Sequence, residues 1–377
     1  MQSVTSKNLV GLDIGSHSIK AMELDWGEKG PRLKLFEKIE LQPETIVDGA
    51  LMDSESLSEA IGALVAKAKI RGREVAVTMA RSICHARILG YNRAYVKESD
   101  EGFLDQMYEY FTADLGGGIG CPDIKDAMVD YQFLENPADP EYLKVLFVAA
   151  SKEDAIYMLS EIKKAGLSPV IFDSNASALL NAYSFFNHKS QAKDVVACVH
   201  WGAEYVIINL FWGGMPQRIR VMSLGGNHIA DAIRDQLKVS YEEAEAIKLK
   251  KKKGAAQNAE VEKIFSWASE ELTKLVRGQV EFFFAINNHH SDLELKKIFI
   301  SGGCSRIQGL PGIMEKKLGV PVEIFNPFSK ITIDPGDFDP TAIKDIVSFA
   351  PVALGLALRG GTSNLSRINL LRPLRGE

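Results

Sequence analysis

Hydrophobic residues along this chain fall in short blocks between glycine turns, and the blocks follow two periods. "LVGLDIG" and "SIKAMELDW" read as strand, turn, strand. In "RLKLFEKIEL", Leu33, Leu35, Glu37 and Ile39 alternate with charged neighbours, the period of a strand. Within "SESLSEAIGALVAKAKI", Leu57, Ile61, Leu64, Val65 and Ala68 recur at three and four, which predicts a helix capped near Ser54 or Ser56. "REVAVTMA" then reads as a short buried strand.

From residue 83 the texture changes. A strand ("CHARILGYN"), an acidic helix ("ESDEGFLDQMYEYF"), a glycine-rich loop ("ADLGGGIGCPD"), two strands ("AMVDYQFLE", "YLKVLFVAAS") and a helix ("KEDAIYMLSEIKKAG") follow in order. This suits an α+β insertion of about 90 residues, the size of a small domain. The "GGGIG" run follows a helix rather than a strand and lacks a Lys-Ser/Thr pair after it, so it predicts a loop, not a phosphate site. "PVIFDSNASALLNAYSFF" returns the chain to its first body as strand and helix. "DVVACVHWGAEYVIINLFWGGMPQRIRVMSLGG" predicts a three-strand meander, and a helical stretch follows from about 226 to 291. "LKKIFISGGCSRIQGLPGIMEKKLG" reads as strand, glycine turn and helix; "FAPVALGLALRGG" predicts the last helix before a short tail.

Composition narrows the function classes. With 377 residues, 46% hydrophobic and 25% charged, the chain has the make-up of a soluble globular protein of two or more domains. A net charge of -5 argues against general nucleic-acid binding. The opening "MQSVTSKN" lacks the pattern of a signal peptide, and no apolar run reaches the ~18 residues of a membrane span. Cys84, Cys121, Cys198 and Cys304 form no CxxC pair, which predicts reduced thiols rather than zinc or disulfide chemistry.

The chemistry lies in the glycines. "DIGS" (13–16) and "HWGA" (200–203) form an internal pseudo-repeat in which a strand ends, a glycine allows a tight turn, and a second strand leaves. Backbone N–H groups at such turns can bind phosphate, and the small Ser16 and Ala203 permit close approach. Gly302 and Gly303 follow a strand and precede a helix, which suits a flat ligand lying across the backbone. Glu245 and Lys248, three apart on one helix, either reach ribose hydroxyls together or form a surface ion pair. His17 either meets phosphate or faces solvent, and Trp201 is expected to pack between strands. The run "KLKKKKG" at 248–254 either complements a helix C-terminus or meets anionic lipid.

Taken together, "VGLDIGSHSIKAMEL", "VDYQFL", "LFVAASKE", "AGLSPVIFD", "EAEAIK", "ISGGCSRIQGLPG" and "PVALGLALR" resemble the PilM family, actin-like proteins of type IV pilus assembly related to FtsA. The likeness runs from about residue 8 to 360. It implies an α/β actin-like ATPase fold, two lobes with a small α+β subdomain inserted in the first. The expected division is 1–82 with 173–190 and about 340–361 for the first lobe and 83–172 for the insertion. Residues 191–225 and 292–339 would form the second lobe's core, 226–291 its helical part and 362–377 the tail.

The resemblance further implies ATP with Mg²⁺ in a central cleft. Asp13 would hold the metal through water; Gly15, Ser16, His17, Ser18 and Lys20 would surround phosphate from one side, and His200, Gly202 and Ala203 from the other. Gly225 and Gly226 would lie along the nucleotide, Glu245 and Lys248 at the ribose, and Gly302, Gly303 and Arg306 at the adenine. Most actin-like ATPases carry an acid where this chain has His200, and imidazole is a poor ligand for hard Mg²⁺, so hydrolysis is expected to be weak or absent. The implied partner is a PilN-like bitopic membrane protein that docks through an INLLP-type peptide, placing the chain in the cytoplasm at the inner membrane. The chain's own tail carries Ile368, Asn369, Leu370 and Leu371, a similar sequence that would enter a neighbour's groove, fray, or lie on membrane as a short helix. An FtsA-like membrane-tethered filament protein and a small-molecule kinase of the same superfamily are the alternatives.

Overall fold

The structure is a computed structural model that describes residues 9–28, 30–47, 49–79, 84–92, 103–114, 123–134, 142–186, 190–249, 258–362 and 366–372. In chain order the elements are β1 Val10–Ile14, β2 Ser18–Gly27, β3 Gly30–Glu40, β4 Ile46–Val47, β5 Ala50–Leu51, α1 Ser54–Ala68 and β6 Glu74–Met79. Then come β7 Cys84–Asn92, α2 Phe103–Asp114, β8 Ala127–Leu134, β9 Tyr142–Ser151, α3 Lys152–Lys164, β10 Ser168–Ser174 and α4 Asn175–Phe186. The rest are β11 Asp194–Trp201, β12 Val206–Trp212, β13 Met215–Met222, α5 Gly226–Leu237, α6 Tyr241–Lys248, α7 Ala259–Ile286, β14 Glu294–Ser301, α8 Leu310–Leu318, β15 Val322–Ile324, α9 Pro340–Ile346 and α10 Pro351–Ala357.

These elements form two compact units, residues 1–189 with 215–219 and 327–377, and residues 190–214 with 220–326. The first unit is built on a sheet of order β10-β6-β1-β2-β3, in which β1 runs antiparallel to β2 and parallel to β6. β1 is buried along its whole length, because α10 packs directly on it and against α4. A residue buried on both faces of a sheet cannot show period two, which is why "VGLDI" reads as a continuous apolar block. The second sheet, of order β13-β12-β11-β14-β15, repeats the pattern: β11 is antiparallel to β12 and parallel to β14. Its core gathers β11 and β12 with α5, α6 and the apolar face of α7, from Val261 to Phe283.

Residues 84–151 supply a third, antiparallel sheet of order β7-β9-β8. Met107, Tyr108 and Phe111 of α2 pack on Val145, Phe147 and Ala149 of β9, a small core of its own. The strand after α3, β10, belongs to the first sheet, parallel to β6. The expected cap of α1 shifts by one residue: Asp53 is the cap, its carboxylate accepting from the Ser56 backbone N–H at 3.0 Å and the Ser56 hydroxyl at 2.7 Å. A carboxylate takes both donors at once and also meets the helix dipole, which neither serine could do. The "GGGIG" loop and most of the "KLKKKKG" run lie outside the described residues. Among those described, no single helix is long and apolar enough to cross a membrane.

Candidate functional site

The two glycine turns close by the same bond. In the first unit the Gly15 N–H donates to the Ser18 carbonyl at 3.2 Å; in the second the Gly202 N–H donates to the Tyr205 carbonyl at 2.9 Å. Strand register aligns them residue by residue. Asp13 pairs across β1–β2 with Lys20, and at the corresponding place His200 pairs across β11–β12 with Ile207.

That alignment explains His200. Asp13 is 4% exposed, and the Lys20 ammonium donates to it at 3.0 Å and to the Ser18 carbonyl at 3.2 Å. A carboxylate removed from water needs such a cation. At position 200 the cross-strand neighbour is aliphatic and buried, so an acid would lack its counter-ion there. The imidazole instead shares a hydrogen bond at 3.0 Å between Nδ1 and the Ser301 hydroxyl of β14.

The second turn has an acid all the same. Where the first turn carries His17, the second carries Glu204, buried at 7%. Acid and histidine have exchanged places about the glycine. Sequence reading looked only at the strand end and missed Glu204; aligning "DIGSHS" with "HWGAEY" would have found it. Burial, then Glu245, Asp231 and to a lesser degree Glu204, hold the Tyr241 phenol well above its ordinary pKa, with Arg234 pulling the other way.

Within the second unit, three other sequence motifs gather about the β11–β12 turn. The first N–H groups of α5 donate into it, Gly226 to the Gly202 carbonyl at 3.0 Å and Asn227 to the Ala203 carbonyl at 2.7 Å. The Cys304 thiol also points at the Gly202 carbonyl, at 3.4 Å. Burial pushes that thiol up to about 11, with the nearby Lys248 cation pulling the other way, so it stays protonated and able to donate. Lys248 donates to the Gly226 carbonyl at 3.0 Å and to the Glu245 carboxylate. The side chains of Lys248 and Glu245 are 8% and 11% exposed, which rules out a surface ion pair. Trp201 is 1% exposed, its indole N–H held by the Leu224 carbonyl at 2.9 Å, so it is packed in the core as expected.

The glycines of this region are required by contact. A Cβ on Gly225 would overlap the Ala203 carbonyl and the Glu204 backbone, and one on Gly226 would meet the Cys304 sulfur at 2.7 Å. Gly302, at φ 88°, lies in the left-handed region, and a Cβ there would overlap the Trp201 backbone. These glycines therefore bring backbone against backbone. Gly303 opens a short 3₁₀ turn that ends at Arg306, which is exposed. Among the described residues, no three His, Cys, Asp or Glu side chains cluster to hold a metal ion.

A second site lies entirely in the first unit, where residues 366–372 pass between two edge strands. The Leu370 N–H donates to the Phe172 carbonyl of β10 at 2.9 Å. The Asn369 side chain completes the pairing: its oxygen accepts from the Phe172 N–H and its nitrogen donates to the Val170 carbonyl, both at 3.1 Å. From the other side, Asp130 of β8 accepts from the Asn369 N–H at 2.6 Å and from the Arg372 guanidinium at 3.4 Å, and Gln132 accepts from the Arg367 N–H at 2.6 Å. Asn181 of α4 accepts from the Ser366 N–H at 2.8 Å. Ile368, Leu370 and Leu371 are buried. Residues 366–369 form no regular element and 370–371 a turn, closed by the Arg372 N–H on the Asn369 carbonyl at 3.1 Å, so the segment is not a membrane-surface helix; its apolar side chains are consumed inside the chain.

The model of the family described as type IV pilus assembly protein PilM matches residues 11–361. The chain belongs to the PilM family. Among solved structures it is similar to the PilM in a PilM-PilN type IV pilus biogenesis complex, at 25% identity and a TM-score of 0.77, over 96% of this chain and 100% of that one. It is also similar to the ethanolamine utilization protein EutJ from Carboxydothermus hydrogenoformans, at 15% identity and a TM-score of 0.53, over 95% of this chain and 92% of that one. MreB5 of Spiroplasma citri bound to ADP aligns over 91% of this chain and 99% of its own at 12% identity, with a TM-score of 0.46. The fold of this PilM-family chain is the actin-like ATPase fold, and the chain is an actin-like protein of type IV pilus assembly.

Proposed function

We propose that the chain is an ATP-binding scaffold at the cytoplasmic face of the type IV pilus inner-membrane platform, and that it binds a short peptide of a PilN-like membrane partner. The observation that carries nucleotide binding is the convergence on the Gly202 carbonyl, which Gly226 and Cys304 both approach while Lys248 ties Gly226 to Glu245. In this reading Glu245 and Lys248 take the ribose, exposed Arg306 with Gly302 and Gly303 flanks the adenine, and Gly225 and Gly226 line the nucleotide's path. The tip N–H groups of Ser16 and Ala203 meet phosphate, since those of Gly15 and Gly202 already close their turns.

The residues present suit Mg²⁺ held through water at Asp13, provided the Lys20 ammonium moves from that carboxylate to a phosphate oxygen. A bound metal would supply charge neutralisation of the phosphates. His17 and His200 stand near the phosphates in this reading. Similarity to a PilM solved with PilN supports the partner.

Titration calorimetry with ATP and Mg²⁺ tests the reading. Lys248→Met should weaken uptake at least about tenfold, as loss of a charge-assisted contact does. Equal affinity in the variant, or no uptake by the native chain, would sink it. Hydrolysis is expected to be slow; the acid to remove is Glu204, and brisk phosphate release abolished by Glu204→Gln would show a working ATPase instead.

A further inference from the structure

The groove between β10 and β8 is made for one kind of occupant. Both walls are edge strands of their sheets, and residues 366–372 pass between them. The segment's N–H groups are met on both sides, by the Phe172 carbonyl of β10 and by the Asp130 and Gln132 side chains of β8. Asn369 is the selective element. Its amide presents one acceptor to the Phe172 N–H and one donor to the Val170 carbonyl, so aspartate, with no donor, and alanine, with neither, would each leave a β10 group unpaired. Flanking Ile368, Leu370 and Leu371 are buried, and Arg372 meets Asp130. The groove therefore selects an Ile-Asn-Leu-Leu segment that turns after its asparagine and is followed by a cation.

We infer that the tail is a built-in competitor: residues 366–372 occupy, within their own chain, the groove that a partner peptide of the same chemistry must enter. This deepens the proposed function and rests on its reading that a partner docks through such a peptide. An intramolecular segment on a short tether acts at an effective concentration of about millimolar, so a tail of about micromolar intrinsic affinity imposes on an incoming peptide a penalty of about three orders of magnitude, and a tail of tens to hundreds of micromolar one to two. Partner binding and tail release then become one event.

The test uses a fluorescent synthetic peptide copying residues 364–374, titrated into three proteins: the full chain, the chain ending at Gly361, and full-length Asn369→Ala. The shortened chain should bind at least about tenfold tighter than the full chain, and Asn369→Ala should approach it. A peptide with alanine in place of its asparagine should bind none of them. Equal affinity in full and shortened chains overturns the inference. If the shortened chain melts early, Asn369→Ala alone decides, by the same comparison. Molar mass by light scattering adds a further arm: a full-length dimer that becomes monomeric on tail removal means that tails exchange between copies, which also overturns occupancy within one chain. The cytoplasmic segment of a PilN-like partner is titrated alongside. Should it fail on the shortened chain while the tail peptide binds, the tail inference stands and the partner reading falls; should it bind full and shortened chains equally, the reverse holds.

Discussion

The β1–β2 and β11–β12 turns share a backbone and differ in what holds them. The first is held by charge: Asp13, nearly sealed from water, depends on Lys20 across the hairpin. The second is held by contact: α5, Cys304 and the Trp201 backbone press on glycines that leave no room for a side chain. One repeated turn thus reaches the same shape through ionic pairing in one unit and close packing in the other. The lesson is that an acid missing from one position of a repeat is not missing from the site. Glu204 carries it two residues beyond the glycine, on the side where the first turn has histidine.

The largest effect should come from breaking the packed turn. Gly302→Ala adds a Cβ into the Trp201 backbone at a positive φ, so we expect a loss of about 3 kcal/mol or more, with thermal unfolding of the second unit as the measurement. An unchanged melting profile would mean that the turn is not held by contact. Lys20→Met breaks the ionic turn and strands Asp13; breaking a buried pair costs about 3–5 kcal/mol, and Asp13→Asn in the same chain should recover part of it. If Lys20→Met is neutral, charge does not hold the first turn.

A smaller effect, but a sharper one, comes from transplanting one solution into the other. His200→Asp puts an acid opposite Ile207 and removes the Ser301 contact, at a cost of about 1–3 kcal/mol. Adding Ile207→Lys rebuilds the Asp13–Lys20 pair in the second hairpin. The double variant should be more stable than the sum of its single effects by about 0.5–3 kcal/mol, read by a double-mutant cycle in denaturant. Strict additivity would break the claim that the two hairpins are equivalent frames.

How far the sequence could be read follows from the range of the forces involved. Strand–glycine–strand punctuation is local, so the two turns, the sheets' strands and the α1 face of Leu57, Ile61, Leu64 and Val65 were legible. The cap of α1 was off by one residue because serine and aspartate are both good caps, and only geometry shows which one reaches the Ser56 N–H. The Lys248–Glu245 pair was legible as a pair but not as buried, since burial comes from α5 and from Cys304 more than fifty residues on. The tail's place was beyond reach for the same reason: Asn369 finds Phe172 across 197 residues of sequence, and no local pattern records that.

The smallest predicted effect sharpens the contrast between Asp13 and Asp173, another buried acid of the first unit. Asp173 is fully buried and bound by Arg359 at 2.8 Å, with the Ser174 N–H and the Ser177 hydroxyl also donating. Burial nevertheless pushes its carboxyl up to about 6, and Asp130 nearby adds to the rise. Cys84, whose own thiol burial raises further, faces the same carboxylate. The folded-state pKa lies above the unfolded value, so between the two the folded chain binds more protons. Stability from this group therefore rises as pH falls through about 6 and levels off below about 4. From pH 7 to pH 5 the gain should be about 1 kcal/mol, as the linkage relation gives for a shift of this size. Asp173→Asn should remove that increment from the denaturation profile whatever it does to stability at a single pH. A variant with the native slope would mean that Arg359 keeps Asp173 ionised in the folded chain despite its burial.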